Sequence, residues 1–217
     1  MKREIIITSD GSTTIHLPDW NEQYHSKHGA IQEAYHVFIK NGLEILDKNE
    51  ISILEIGFGT GLNSFITFLE SDKTVNYVGV EAYPVAEEEV AKLNYVAELK
   101  AVAKESVFKK MHEVSWGVKH KITESFYLTK RQQFFKDIDD IDTFDLIYFD
   151  AFGARNQPEL WTEEIFSIMF NALKSNGVLV TYSAKGSVRR AMQAVGFEVE
   201  RLPGPPGKRE MLRAVKH

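Results

Sequence analysis

The sequence predicts an α/β fold with a seven-stranded, mostly parallel sheet behind a small N-terminal hairpin and helix. Three observations predict it. An apolar, strand-like run at residues 51–56 passes through a glycine-rich turn into a helical pattern at 62–70. Buried strand patterns then alternate with helical ones along the chain. The last two strand patterns are joined by a loop instead of a helix, so the final strand should run antiparallel.

The composition fits one compact unit. The 217-residue chain is 43% hydrophobic, which is enough for a substantial core. We expect a hairpin and helix extension at residues 1–48 and the main domain at 49–217. No cysteine is present, which excludes disulfides and thiolate metal sites. Without a membrane-length apolar run or a signal-peptide pattern, the expected location is cytoplasmic.

The first segment combines a hairpin with a helix. Residues 4–17 alternate apolar and polar around Asp10-Gly11, a dipeptide typical of two-residue hairpin turns. A helical pattern follows at 30–39 and stops at the Asn41-Gly42 pair. Three histidines lie near this helix, but no acid or cysteine completes a metal-binding set at ligand spacing, so no metal is expected.

The glycine-rich turn indicates a nucleoside cofactor. Its glycines are Gly57, Gly59 and Gly61, preceded by Glu55. A dinucleotide fingerprint would need a sixth-position glycine where this chain has leucine. The next strand pattern, 75–80, ends at Glu81, about where an acid takes ribose hydroxyls.

The middle of the chain predicts a helix over 85–111 and a strand over 119–130. No acid stands just after that strand, and Glu124 is the nearest acid to its end. Residues 144–149 form a buried strand pattern ending at Asp150. Because this strand should lie beside the first one, Asp150 is predicted at the topological switch point, where ligands bind.

The remaining elements complete the alternation. Residues 158–174 read as a capped helix, Asn176-Gly177 as a turn, and 178–182 as a buried strand. A short helix at 187–195 then precedes strands at 197–202 and 211–215, which flank a proline-rich loop.

Charge is distributed unevenly around a net value of −5. From residue 185 to 217, eight Lys and Arg side chains stand against three acids, so this segment carries +5 and the remainder −10. A basic end on an acidic body suits a local contact with phosphate. A solvated basic surface explains the same charge equally well.

These segments together resemble the MnmC methyltransferase family, and the acid and glycines at 55–63 resemble motif I of the class I methyltransferases. The 181–186 and 203–211 segments are the most specific, whereas 153–157 departs from the family pattern. The matches span nearly the whole chain: 24–26, 29–30, 33–38, 55–63, 150–152, 158–162, 181–186, 188–191, 196–197 and 203–211.

The resemblance implies the class I S-adenosylmethionine-dependent methyltransferase fold, which is Rossmann-like, with S-adenosylmethionine as cofactor. It implies a tRNA methyltransferase that converts wobble 5-aminomethyl-2-thiouridine to 5-methylaminomethyl-2-thiouridine. The FAD-dependent oxidase half of the bifunctional members has no counterpart in this sequence. We therefore expect a separate FAD-dependent enzyme to supply the aminomethyl precursor.

Each candidate residue has an expected role. Asp150 would accept a hydrogen bond from the amine and direct its lone pair to the methyl group, or else only orient the cofactor or a loop. Phe152 would pack against a base or in the core. The predicted cofactor contacts are Glu55, Gly57, Gly59, Gly61, Asn63 and Glu81. The predicted tRNA phosphate contacts are Arg155, Lys185, Arg189, Arg190, Lys208 and Arg209.

Two other readings remain open. An aminopropyltransferase of the spermidine-synthase type shares the fold and the acid after the fourth strand, and it would have an acid-lined slot for a polyamine. A catalytically silent RNA-binding protein of the same fold would lack affinity for S-adenosylmethionine. The basic end argues against the first, and the intact acids and glycines argue against the second.

Overall fold

The N-terminal part of the chain forms a small antiparallel sheet. The structure is a computed structural model that describes residues 2–217. Its first sheet comprises β1 (Glu4–Ile7), β2 (Thr13–Leu17) and β3 (Glu22–Gln23). The predicted hairpin is confirmed, but its connecting loop spans residues 8–12 and is longer than a two-residue turn. Asp10 organises this longer loop, because its carboxylate accepts hydrogen bonds from the Ser12 amide and the Thr8 hydroxyl.

The helix that follows the small sheet belongs to the main core. It begins as α1 (Ala30–Ala34) and continues as a π-helical turn, Tyr35–Lys40. Val37 and Phe38 of this turn are fully buried in the same cluster as Ile53 of the first core strand. The segments on either side of residue 48 thus share one core, and the predicted division at 48/49 stays a prediction.

The central sheet confirms the predicted α/β class. Its order is β10-β11-β9-β8-β4-β5-β7-β6. The strands β4, β5, β7, β8 and β9 pair in parallel, and β11 lies antiparallel between β9 and β10, as the loop connection predicts. The bounds are β4 (Glu50–Ile56), β5 (Thr74–Val80), β6 (Lys119–Lys121), β7 (Phe126–Arg131), β8 (Phe144–Phe149), β9 (Leu173–Thr181), β10 (Glu198–Pro203) and β11 (Glu210–Val215).

Helices cover both faces of this sheet and divide the core into two clusters. Alternate residues of β4 serve the two faces: Ile53 points to the α1 side, and Leu54 to the other side. Within residues 2–217, no helix has the length and apolar character that crossing a bilayer requires. The helices are α2 (Leu62–Glu70), α3 (Glu87–Val90), α4 (Tyr95–Glu98), α5 (Glu105–Glu113), α6 (Glu163–Ala172) and α7 (Gly186–Ala194).

The prediction of one helix over 85–111 is wrong. That region holds α3, α4, a 3₁₀ turn and α5 in succession. Asn94 interrupts it because its side chain bonds the N-terminal hairpin, accepting from Thr13 N at 2.8 Å and donating to Gly11 O at 2.9 Å. Lys100 then adopts a left-handed φ of 53°, which no helix interior tolerates. Tertiary bonds thus override the helical pattern.

Two strand predictions also need correction. Residues 119–130 form the hairpin β6–β7 instead of one strand, because the amides of Ile122 and Thr123 turn back to Phe126 O. This adds an eighth strand to the sheet. Asn176-Gly177 lies inside β9 as an irregularity instead of before it, with Asn176 at φ 61° and its amide bonded to Lys216 O at 2.6 Å.

Candidate active site

The glycine turn lies between β4 and α2, and its backbone requires glycine. Gly57, Gly59 and Gly61 have φ values of 90°, 48° and 70°, in the region that side chains disfavour. A Cβ on Gly57 would approach Asp150 O to 2.7 Å, and one on Gly59 would approach the Tyr24 ring to 3.1 Å. The turn therefore presents bare backbone next to the end of β8, at the start of a helix of nine residues.

Asn63 connects the two acids on either side of the switch point. Its amide nitrogen donates to Glu55 Oε1 and to Asp150 Oδ2, both at 2.9 Å. Among the residues that the structure describes, Glu55 Oε2 and Asn63 Oδ1 have no hydrogen-bond partner, although both atoms are buried. Buried polar atoms without partners are costly, and they commonly mark the position of a ligand or water.

The environment of these acids favours their protonated forms. Burial raises the pKa of Glu55 well above its ordinary value, and the nearby Asp150 carboxyl adds to the rise. Burial also raises the pKa of Asp150 to about 7, with a further upward contribution from the charge of Glu33. The hydrogen bond from Asn63 and the charge of Lys208 oppose that rise. Asp150 can thus exchange a proton near neutral pH.

Short bonds fix the chain just after β8. Asp150 N donates to Ile56 O at 2.9 Å, which keeps the end of β8 registered on β4. The Tyr182 hydroxyl donates to Ala151 O at 2.7 Å, and the Trp161 indole donates to Phe152 O at 2.8 Å. Three different elements therefore hold residues 150–152 in one conformation.

Glu81 is held in place at the end of β5. Its two carboxylate oxygens accept from Gly59 N at 3.1 Å and Tyr83 N at 2.9 Å. The first of these bonds ties Glu81 directly to the glycine turn. The structure therefore brings Glu81 together with Glu55, Asn63, Asp150 and the glycine turn at this edge of the sheet.

A cavity of about 1160 Å³ is lined by all of these residues except Gly61, on which a Cβ would meet the His112 ring at 3.1 Å. From the segment that follows β7, its wall includes Phe134, Phe135 and Lys136. Glu124 is not among the lining residues; it is exposed and pairs with Lys121 at 2.7 Å. The acidic side chains outnumber the basic ones, so the cavity suits a cationic ligand. The acids are Glu55, Glu81, Glu89, Asp150, Glu159 and Glu164, and the bases are Arg3 and Lys136.

The N-terminal sheet supplies a wall of the cavity that the sequence did not predict. Tyr24 packs edge-on against Phe152 with ring centroids 5.0 Å apart, and Trp20 does so at 5.8 Å. Arg3 anchors this sheet across the cavity, donating to Tyr83 O and Glu89 Oε2, both at 2.9 Å. The one available signal was the matching segment at 24–26, which carried no assigned role.

The predicted phosphate contacts fall into two groups. Arg155, Lys185, Arg190 and Arg209 are exposed and Arg189 is partly exposed, and within residues 2–217 none of them forms an ion pair. Lys208 differs, because its ammonium pairs with buried Glu33. The five cations without an ion pair can bind an external anion directly, whereas Lys208 would first have to leave Glu33.

Two of the histidines near α1 have ordinary partners. His25 Nδ1 lies 3.1 Å from Thr14 Oγ1, and His36 Nε2 lies 2.8 Å from Pro203 O. Across residues 2–217, no group of three or more potential ligands from His, Cys, Asp and Glu is arranged to hold a metal ion.

Comparison with known proteins agrees with the resemblance in the sequence. A family profile described as S-adenosyl-L-methionine-dependent methyltransferase matches residues 96–217. The bifunctional protein MnmC of Marinomonas sp., named for tRNA 5-methylaminomethyl-2-thiouridine biosynthesis, is 27% identical over 215 residues. That alignment covers 90% of this chain but only 31% of the relative, so this chain spans about a third of the relative's length.

Solved structures show the same fold. The crystal structure of MNMC2 from Aquifex aeolicus superposes with a TM-score of 0.75 at 24% identity, covering 98% of this chain and 69% of that one. Spermidine synthase from Thermotoga maritima superposes with a TM-score of 0.57 at 16% identity, covering 98% of this chain and 72% of that one. At these identities the two structures bear on the fold alone.

Proposed function

This chain belongs to the S-adenosyl-L-methionine-dependent methyltransferases, and from that premise we propose that it methylates the aminomethyl group on the wobble uridine of tRNA. The product would be 5-methylaminomethyl-2-thiouridine, the nucleoside in the name of the MnmC relatives. The observation that carries the proposal is the position of Asp150, beside the glycine turn and bonded to Asn63, in a chain similar to MnmC over 90% of its length.

The cavity fits S-adenosylmethionine. Its acidic wall complements a cationic cofactor, and Gly57 and Gly59 contribute backbone to its lining. The unpartnered Glu55 Oε2 and Asn63 Oδ1 offer buried polar contacts, and Glu81 lies where a ribose is bound in related folds. When bound, the cofactor supplies a methyl group activated by a sulfonium.

Asp150 supplies the base. An alkylamine is largely protonated near neutral pH and must lose that proton before its lone pair can form a bond to carbon. A carboxylate whose pKa is raised to about 7 by burial accepts such a proton more readily than an ordinary aspartate. The bonds to Ile56, Ala151 and Phe152 hold this turn still, so little reorganisation is needed.

The free cations supply the contact with tRNA. Arg155 follows β8, whereas Lys185, Arg189 and Arg190 lie at the start of α7 and Arg209 lies before β11. Exposed cations without ion pairs bind phosphate without losing an internal partner. Supply of the aminomethyl precursor by a separate FAD-dependent enzyme stays a prediction.

Aminopropyl transfer is the second candidate, because the acid-lined cavity would also suit a polyamine. A polyamine synthase does not need the free cations near α7. Assays with decarboxylated S-adenosylmethionine and putrescine separate the two: formation of spermidine, with no label in tRNA, would favour the second candidate.

The decisive experiment measures methyl transfer from labelled S-adenosylmethionine into bulk tRNA from cells that lack this gene, followed by nucleoside analysis. We expect label in 5-methylaminomethyl-2-thiouridine. tRNA from wild-type cells, which should already be methylated, is the matched control. Absence of label despite measurable S-adenosylmethionine binding would contradict the proposed acceptor, and absence of binding would favour a catalytically silent RNA-binding protein.

A further inference from the structure

A partly buried ion pair joins α1 to the loop between β10 and β11. Glu33 of α1 pairs with Lys208 of the β10–β11 loop, and Glu33 is 6% exposed. The other Glu33 oxygen accepts from Ser26 N at 3.0 Å, so both carboxylate oxygens are engaged. Neither residue lines the cofactor cavity.

Tyr182 links this pair to the turn that carries Asp150. The Lys208 ammonium lies 3.7 Å from the centre of the Tyr182 ring, a cation–π contact. The hydroxyl of the same ring donates to Ala151 O at 2.7 Å, one residue after Asp150. Lys208 therefore packs on the side chain that fixes residue 151.

The loop that carries Lys208 is itself docked on the N-terminal segment. Pro203 O contacts His36 Nε2 at 2.8 Å, and Gly207 lies so close to the His28 ring that a Cβ would collide with it. These contacts keep the Lys208 ammonium in one place relative to Asp150. A fixed charge acts on a neighbouring acid more strongly than one on a mobile surface side chain.

We propose that Lys208, held by Glu33 against Tyr182, is a positioning residue that favours the carboxylate form of Asp150 for methyl transfer, against the opposing charge of Glu33. This inference rests on the proposed role of Asp150 as the base. It gives Lys208 a task different from the phosphate contact expected from the sequence. The charges of both partners act at Asp150: Glu33 raises its pKa and Lys208 lowers it.

Other titratable groups also face Asp150, and the variants used in the test do not change them. Glu55 interacts with it from β4 across the shared Asn63 amide, Tyr77 interacts from β5, and Tyr182 follows β9. Variants at Glu33 and Lys208 leave all of these side chains unchanged. Any difference between the two variants therefore reports on the ion pair.

The test measures the pH dependence of kcat for methyl transfer to tRNA at saturating substrates. In Lys208→Met the acid limb should move to higher pH, because a positive charge that lowers the pKa of Asp150 is lost. In Glu33→Gln it should move to lower pH, because a negative charge that raises that pKa is lost. Each shift should be about one pH unit. The double variant should lie between them. Lys121→Met removes a lysine from an exposed ion pair with Glu124, so it is the matched control and should leave the limb unchanged.

The outcomes separate this inference from the role of Asp150. If Asp150→Asn retains turnover and the acid limb, the proposed base is wrong. If Asp150→Asn abolishes the limb while both ion-pair variants leave it in place, or move it in one direction, the positioning role of Lys208 is overturned. Tm and S-adenosylmethionine affinity identify variants that are merely misfolded, and Lys208→Arg, which keeps the charge, should restore the wild-type limb.

A second readout distinguishes positioning from phosphate binding. Lys208→Met should leave the salt dependence of tRNA affinity unchanged, because its ammonium is engaged by Glu33. A decrease of about one in the slope of log affinity against log salt would assign Lys208 to phosphate and overturn the inference.

Discussion

Asp145 and Asp150 lie at opposite ends of the same buried strand, β8, yet their surroundings are opposite. Asp145 near the start of β8 accepts from Lys48 at 2.6 Å, Ser52 N at 2.8 Å and Lys174 at 2.9 Å. Asp150, just past the end of β8, receives one side-chain hydrogen bond, from Asn63. Burial favours the neutral form of both, but its three donors hold the pKa of Asp145 below its ordinary value, whereas that of Asp150 rises to about 7.

This difference indicates which end of the sheet is suited to bind a ligand and carry out a reaction. At the amino end of β8 both carboxylate oxygens of Asp145 have a lysine partner, and these pairs tie Lys48 and Lys174 to the sheet. At the carboxyl end Glu55 and Asn63 retain buried atoms without partners, within the part of the chain that the structure describes. A parallel sheet leaves the carboxyl ends of its strands open to ligands, and here the polar groups at that edge are left incompletely satisfied.

The largest expected effect comes from neutralising the acid at the carboxyl end. Asp150→Asn should lower kcat by about 10²–10⁴-fold, the usual contribution of a positioned base. The protein should stay folded, because an asparagine oxygen still accepts from Asn63. Steady-state methyl transfer at saturating tRNA measures the effect. Asp145→Asn, assayed on folded protein, is the matched control and should keep near-normal kcat; equal losses in both variants would contradict the comparison.

For stability, the order of the two substitutions should be the opposite of their order for kcat: Asp145→Asn should have the larger effect. Asp145→Asn removes a charged acceptor that binds two lysines and one amide, which should lower the free energy of unfolding by about 2–3 kcal/mol. Asp150→Asn should lower it little or raise it near neutral pH, since burying the carboxylate there is unfavourable. Urea unfolding at fixed pH measures the free energy of unfolding of both variants. A larger loss of stability in Asp150→Asn than in Asp145→Asn would contradict the structural role given to Asp145.

Stability should also respond to pH with opposite signs at the two acids. The folded pKa of Asp145 lies below its unfolded value, so its contribution is present above about pH 4 and is lost as the pH falls through its folded pKa. The folded pKa of Asp150 lies above its unfolded value, so its contribution is complete below about pH 4 and lost as the pH rises toward 7. Unfolding free energies from pH 3 to 8 for each Asn variant against wild type measure this. If the stability difference between wild type and variant changed with pH in the same direction at both positions, the contrast would be refuted.

The sequence predicted the carboxyl edge well because local patterns encode it. Glycines at positive φ and acids at strand ends are visible in the chain, and the structure assembles Glu55, Asn63, Glu81 and Asp150 as expected. Helix α2 begins and ends at the predicted residues for the same reason: the glycines before it and the apolar period within it are local.

Features that depend on distant contacts could not be read in the same way. Asn94 interrupts a helical pattern through bonds to a hairpin about eighty residues away. Lys208 looks like its exposed neighbour Arg209, and its role becomes visible only when Glu33, 175 residues earlier, is brought beside it. Tyr24 and Trp20 line the cavity because the N-terminal sheet folds across the central one. Spacing along the chain carries no information of this kind.

The smallest expected effect extends the comparison from acids to cations. Lys174 is bound to Asp145, whereas Arg190 has no ion-pair partner among residues 2–217. If free cations contact phosphate, Arg190→Gln should weaken binding to all tRNAs by a similar factor and reduce the salt slope by about one. Lys174→Gln is the matched control: it should lower stability and leave the slope unchanged, because its charge already serves Asp145. Affinity titrations from low to moderate salt measure both slopes. An unchanged slope in Arg190→Gln would make that side chain a solvated surface group, and a reduced slope in Lys174→Gln would show that pairing with an acid does not remove a cation from tRNA binding.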